Sequence, residues 1–348
     1  MREILIAVLW LTACPQFALA HHSVAGFFDS GAQIEIEGVI KKVGWRNPHT
    51  VFLIDVTGPS GEATTWTIES GALGVLRSRG LAREFVQVGD RVKVLGDSSL
   101  RSRPEIFARN MLLSNGKEVM LTVGSAPHFT SQNDGELLEA EYDPALIAAA
   151  RQSADGIFRV WSTDIEELPN SGSRMFRGQL PLNAAAQAKR AEYDAGDEVL
   201  LECTSWSMPR LMTNPLPMEY VREGDTIVQR FEEDDSVRVI HMRAEHTEIP
   251  DEPSIFGYST GRWDGDTLVI ETSGVALDRF DNAGTPFSEE MHLIERITPS
   301  SDGKRLNYKL RVTDPNTFTE SIDVERYWDW RPEIQVGAYD CQQDQGFE

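Results

Sequence analysis

Residues 305–312 alternate without a break, with Leu306, Tyr308, Leu310 and Val312 on one side and Arg305, Asn307, Lys309 and Arg311 on the other. A period of two puts one row of side chains in a dry layer and the other in water, which is the signature of a half-buried strand. The same grammar recurs upstream. Gly224-Asp225-Thr226-Ile227-Val228 and Gly265-Asp266-Thr267-Leu268-Val269 repeat one hairpin plan, and a third turn falls at Asp302-Gly303. Strands are expected at 217–222, 226–233, 237–244, 255–263, 267–275, 290–298, 305–313 and 318–328. About eight strands joined mainly by hairpins close most economically into an up-and-down, lipocalin-like antiparallel β-barrel; a sandwich is the other arrangement.

The N-terminal part has a different order. Ile34, Ile36 and Ile40 alternate with Glu35, Glu37 and Lys41. VFLIDV (51–56), TTWTIE (64–69), a helical GALGVLRSRG (71–80), DRVKVLG (90–96) and EIFARNMLL (105–113) follow. Three strands, a helix and two strands is the order of an OB-like small barrel, so the chain is read as mainly β with short helices in the connector. The expected domains are 21–120 (OB-like), 121–155 (linker and a short helix opened by Asp143-Pro144) and 156–348 (β-barrel). A second helix is expected over 182–193. The 348-residue length also favours two domains.

Residues 4–13 are apolar behind Arg2, and Ala18-Leu19-Ala20 is a small-x-small cleavage triplet. Residues 1–20 therefore read as a signal peptide, and the protein as periplasmic or secreted. The alternative is a lipid anchor at Cys14, after Leu11-Thr12-Ala13. No later stretch is long and apolar enough to span a membrane as a helix. With Cys14 removed, Cys203 and Cys341 remain, and a disulfide between them is the simplest reading in an oxidising compartment; two buried thiols is the other. Thirty-three Lys and Arg against 55 Asp and Glu leave a net charge of −22, which repels phosphate backbones and argues against a nucleic-acid partner.

Cleavage after Ala20 would free the amine of His21. That amine and its imidazole, with His49 of Arg46-Asn47-Pro48-His49 as third nitrogen and His22 in reserve, form a candidate copper site. In the barrel, His241 shares a strand face with Val237, Val239 and Arg243; His292 shares one with Ile294 and Arg296, while Glu295 points the other way. If such faces line the lumen, these side chains would hold a small, largely apolar ligand by its polar tip. Trp263 is placed at the barrel rim beside a turn at Asp264-Gly265. The segment 209–215, with two prolines, is a connector or a plug at the barrel mouth.

His21-His22-Ser23, Gly38-Val39-Ile40, Asn47-Pro48-His49 and the Val88-Gly89-Asp90 turn resemble a family of secreted bacterial proteins classed as a domain of unknown function, over roughly residues 21–120. The later half, with Arg238-Val239-Ile240-His241-Met242, Arg262-Trp263-Asp264-Gly265-Asp266-Thr267-Leu268 and His292-Leu293-Ile294-Glu295-Arg296, is similar to a second group of uncharacterised exported proteins. Those usually carry Glu at the position of Asp264 and often Trp at that of Phe158. The resemblances imply the domain split and single out the histidines, without a reaction. No Gly-rich phosphate loop, Gly-x-Ser-x-Gly, His-Glu-x-x-His or Cys-x-x-Cys occurs. The expectation is an exported small-ligand-binding protein; the alternative is a barrel enzyme (isomerase, cyclase or hydrolase) using His241 or His292 on a hydrophobic substrate.

Overall fold

A computed structural model describes residues 24–163, 175–176, 178–193, 203–242, 252–276, 278–281 and 283–341. His21, His22, the leader and Arg243 lie outside the described residues.

The N-terminal strands are β1 (Phe28–Gly44), β2 (Val51–Thr57), β3 (Ala63–Glu69), β4 (Arg91–Ser99), β5 (Glu105–Leu112), β6 (Lys117–Met120) and β7 (Glu136–Leu137). β1 is 17 residues long and pairs with both β2 and β4, with register shifts at 29/33 and 40/42 that let one strand serve two neighbours. β3 pairs in parallel with β5, so the ring β1-β2-β3-β5-β4 closes in the order expected of an OB-like barrel. Ile40, Phe52, Ile54, Ile68, Val94 and Ile106 fill it, and the helix Leu73–Ser78 covers one end with Leu76 fully buried. Each such side chain stabilises by about 1.5–3 kcal/mol relative to an exposed one.

The segment 121–142, read as a linker, is instead pinned to this sheet. β7 pairs with β6, and the buried carboxylate of Glu118 accepts from the backbone N–H groups of His128 and Thr130, both at 2.7 Å. Composition could not foretell this, because the polar residues are anchored by their backbone. The helix Pro144–Ser153 follows, capped by Asp143 accepting from Ala145 N at 2.8 Å. The second helix runs Ala184–Ala191 under an Asn183 cap.

The C-terminal strands are β8 (Val160–Ser162), β9 (Met218–Glu223), β10 (Thr226–Phe231), β11 (Val237–Met242), β12 (Tyr258–Asp264), β13 (Thr267–Ser273), β14 (His292–Pro299), β15 (Arg305–Thr313) and β16 (Ile322–Trp330). They form a closed barrel in the order β10-β11-β12-β13-β14-β15-β16-β8-β9. Leu306, Tyr308, Leu310 and Val312 point in and are at most 1% exposed, and their neighbours are in water. Two details depart from a simple up-and-down plan. β11 and β12 run parallel, Ile240 opposite Ser259, because the connection between them is too long to be a hairpin. β8, three residues long and without a readable period, closes the ring between β16 and β9. The repeated turns are Gly224-Asp225 and Gly265-Asp266 rather than Asp264-Gly265: Asp264 pairs with Thr267, and Gly265 takes the φ of +61° at the first loop position.

Candidate functional site: the cleft between the two domains

The barrel lumen was the expected site, and its contents correct that expectation. β11 turns Arg238 and Ile240 inward, leaving Val237 and Val239 more than 40% exposed, so His241 sits on the outer face, stacked on Tyr258 at 4.8 Å. His292 and Arg296 are also on the outer face, where Arg296 pairs with exposed Asp264 at 2.7 Å. Trp263 is at the rim, 43% exposed and 6.3 Å from Phe158. Of the candidates, Glu295 alone is placed in the lumen among the described residues, at 0% exposure.

Glu295 meets Arg238, which sequence reasoning did not single out. The five N–H groups of Arg238 match five acceptors. Nε donates to Ser259 (3.0 Å), Nη1 to Gln229 (3.3 Å) and Glu295 Oε1 (3.1 Å), and Nη2 to Thr272 (2.7 Å) and Glu295 Oε2. Tyr308 donates to Glu295 Oε1 at 3.0 Å. The pair raises the Arg238 pKa against the opposing effect of burial, and Tyr308 is pushed up by burial and by Glu295. From one end the segment 209–215 inserts as a plug, with Met208, Leu211 and Met212 buried in the barrel core. A satisfied network under a plug holds the barrel together.

A different set of side chains converges between the domains. The chain leaving β16 crosses back as a strap. Arg331 Nη2 donates to Ser78 O at 2.9 Å, Gly337 N to Glu232 Oε2 at 3.0 Å, and Tyr339 N to Asp235 Oδ1 at 3.0 Å. Asn47, fully buried, accepts from Leu73 N at 2.8 Å and donates to Tyr339 O, bridging its own domain to the strap. Cys341 then closes the predicted disulfide with Cys203, across 138 residues. At Gly74 the domains approach closely, since a Cβ there would collide with Glu232 Oε1 and lie 2.9 Å from Leu216 Cδ2.

Beside this joint is a cleft of ≈ 250 Å³. His49 and Phe107 line it from the N-terminal domain; Trp206, Leu216, Glu233, Asp234, Tyr339 and the disulfide line it from the other. His49 Nδ1 is 3.3 Å from Glu69 Oε2, and its ring stands edge-on to Phe107 at 5.7 Å; Phe28 packs on the same ring at 5.8 Å. The turn after β10 carries four acids in a row, residues 232–235, with Asp234 and Asp235 at φ near +50°. Burial pushes Glu233 up to about 8, with Asp234 adding to it and Asn214, Tyr339 and Arg210 opposing. Glu232 is raised to about 7 by burial, and Asp234 to about 6 by burial and by Asp235. Tyr339 is pushed up by burial and by Glu233. An apolar hollow with a buried carboxyl of raised pKa, Glu233, in its wall can take a polar-tipped molecule or exchange a proton with it.

A run of four acids ordinarily marks a solvated face, so only the docking of the N-terminal domain identifies Glu232, Glu233 and Asp234. Among the described residues no group of three or more His, Cys, Asp or Glu is arranged to hold a metal, and no helix is long and apolar enough to cross a membrane. No curated protein and no solved structure matches the chain. Residues 10–103, which include Asn47, Pro48 and His49 but none of the barrel, are similar to a family of unknown function (DUF6152).

Proposed function

We propose that the chain is an exported binding protein whose ligand, a small and largely apolar molecule with a polar tip, sits in the interdomain cleft rather than in the barrel lumen. The observation that carries this is the pairing of a ≈ 250 Å³ apolar hollow with Glu233, a carboxyl only 7% exposed in its wall. Export is supported by the leader-like residues 1–20 and by the Cys203–Cys341 bridge, which persists in oxidising compartments. Native mass spectrometry of protein recovered from the periplasm tests both. A retained small molecule is expected in wild type and its loss in Ala72→Phe, which fills the cleft. Retention in the filled variant sinks the reading.

A copper site is the second reading. A carboxylate on Nδ1, as Glu69 is to His49, orients a histidine to coordinate through Nε2. Phe28, seven residues after His21 in the sequence, packs on the same Phe107 ring as His49. The mature protein should bind copper(II) more tightly than a variant with one alanine added before His21. Equal affinities end the idea.

A further inference from the structure

We infer that the polar tip recognised in the cleft is a cation, and that the ligand class is a small aromatic or aliphatic amine. This rests on the cleft reading and goes beyond it by fixing the charge of the occupant.

The protein treats its buried carboxylates in two ways. In the lumen, Glu295 receives two nitrogens of Arg238, and no carboxylate oxygen is left to a ligand. In the cleft, Glu233 and Asp234 line the wall, and among the described residues no Lys or Arg lines it. Among the described residues, Glu232 on the same turn is a further buried carboxyl, held by Gly337 N. Asp235, on the same turn, adds negative charge and is tied to Tyr339 N. Tyr339 and Asn214, both uncharged, oppose the upward shift of Glu233. Arg210, which opposes the upward shift of Glu233, lies over the Trp206 ring at 4.3 Å and is not among the residues lining the hollow. His49 faces its own carboxylate, Glu69. The walls thus hold negative capacity that the protein does not neutralise with a cation in the hollow, and the energetic complement is an ammonium supplied by a ligand.

Shape and surface agree. Phe107, Trp206 and Tyr339 present aromatic surface to the hollow, and a cation beside aromatic faces is stabilised by about 0.5–2 kcal/mol. The volume suits one ring with a short aminoalkyl arm. The net charge of −22 raises the local concentration of cations at any opening. Binding has a chemical signature: the ammonium favours the carboxylate form of Glu233, so the carboxyl O–H breaks, its proton goes to buffer, and a carboxylate–ammonium pair remains.

Isothermal titration calorimetry of the mature protein at pH 7 with 2-phenylethylamine, neutral 2-phenylethanol and anionic 3-phenylpropionate tests this, run in phosphate and in Tris to count protons. The amine should bind at least about tenfold tighter than the alcohol, equivalent to about 1.4 kcal/mol, with net proton release. Glu233→Gln should erase both the preference and the release, its urea midpoint reporting that it is folded. Alcohol or carboxylate binding as tight as the amine overturns the cation and leaves the cleft standing. Failure of all three to bind at millimolar concentration, or undiminished amine binding to Ala72→Phe, overturns both.

Discussion

Glu232 pins the two halves of the molecule together, and its titration can be read as stability. Its side chain is 1% exposed, holds Gly337 N through Oε2 and abuts Gly74. Burial raises its pKa from 4.5 to about 7, assisted by Asp235 and opposed by the Gly337 N–H and by Arg77. A carboxyl whose folded-state pKa exceeds its unfolded value binds its proton more tightly in the native protein. Stability is therefore lost as pH rises between the two values. From about pH 5 to about pH 7 the unfolded group is ionised and the native one is not, at about 1.4 kcal/mol per pH unit. Above about pH 7 both ionise, and the penalty levels off near 3 kcal/mol. Glu232→Gln keeps the shape and the acceptor for Gly337 but cannot ionise. Urea unfolding of both proteins from pH 5 to 8 should give stabilities within about 1 kcal/mol of each other at the acid end, and a variant more stable by about 3 kcal/mol at the alkaline end. Glu233 titrates in both, so the difference between the curves is the measured quantity. Parallel curves refute the argument.

Gly74→Ala should cost about 1–3 kcal/mol by overpacking against Glu232 and Leu216, and should raise protease sensitivity at the joint; an unchanged urea midpoint would contradict the close approach. Arg238→Met should cost about 3–5 kcal/mol because it strands Glu295, and adding Glu295→Leu should recover much of that in a double-mutant cycle. Replacing Cys203 and Cys341 together by serine should lower stability by about 5 kcal/mol in the chain-entropy model, and limited proteolysis should then cut within residues 331–341 first.

The barrel was legible because its strands carry a strict period of two, as β15 does from Arg305 to Thr313, and because glycine-first loops mark hairpins at Gly224 and Gly265. Which face is inside was not legible where the alternation is ambiguous. In β11, Val237, Val239 and His241 look as apolar as the opposite row, yet the row containing Arg238 is buried, because a partner three strands away in sequence, Glu295, neutralises it. No local pattern announces a long-range ion pair. The disulfide followed from arithmetic on cysteines, whereas the cleft did not, since half of it comes from each domain and the strap that completes it follows β16.

The composite origin of the cleft bears on what the N-terminal module does. Asn47, in the Asn-Pro-His segment, spends both ends of its side chain on holding Leu73 and the strap residue Tyr339, and the adjacent Pro48 and His49 face the hollow. A buried asparagine committed this way needs a backbone segment from a second body, because without one its amide would be left unsatisfied at a cost of about 1–3 kcal/mol. The N-terminal residues that match the family therefore carry a docking device as well as half of a binding wall. Glu233, Trp206 and Tyr339 supply the other half, so separating the domains dismantles the cleft even if each remains folded. The unit to which a ligand should be assigned is the joined pair.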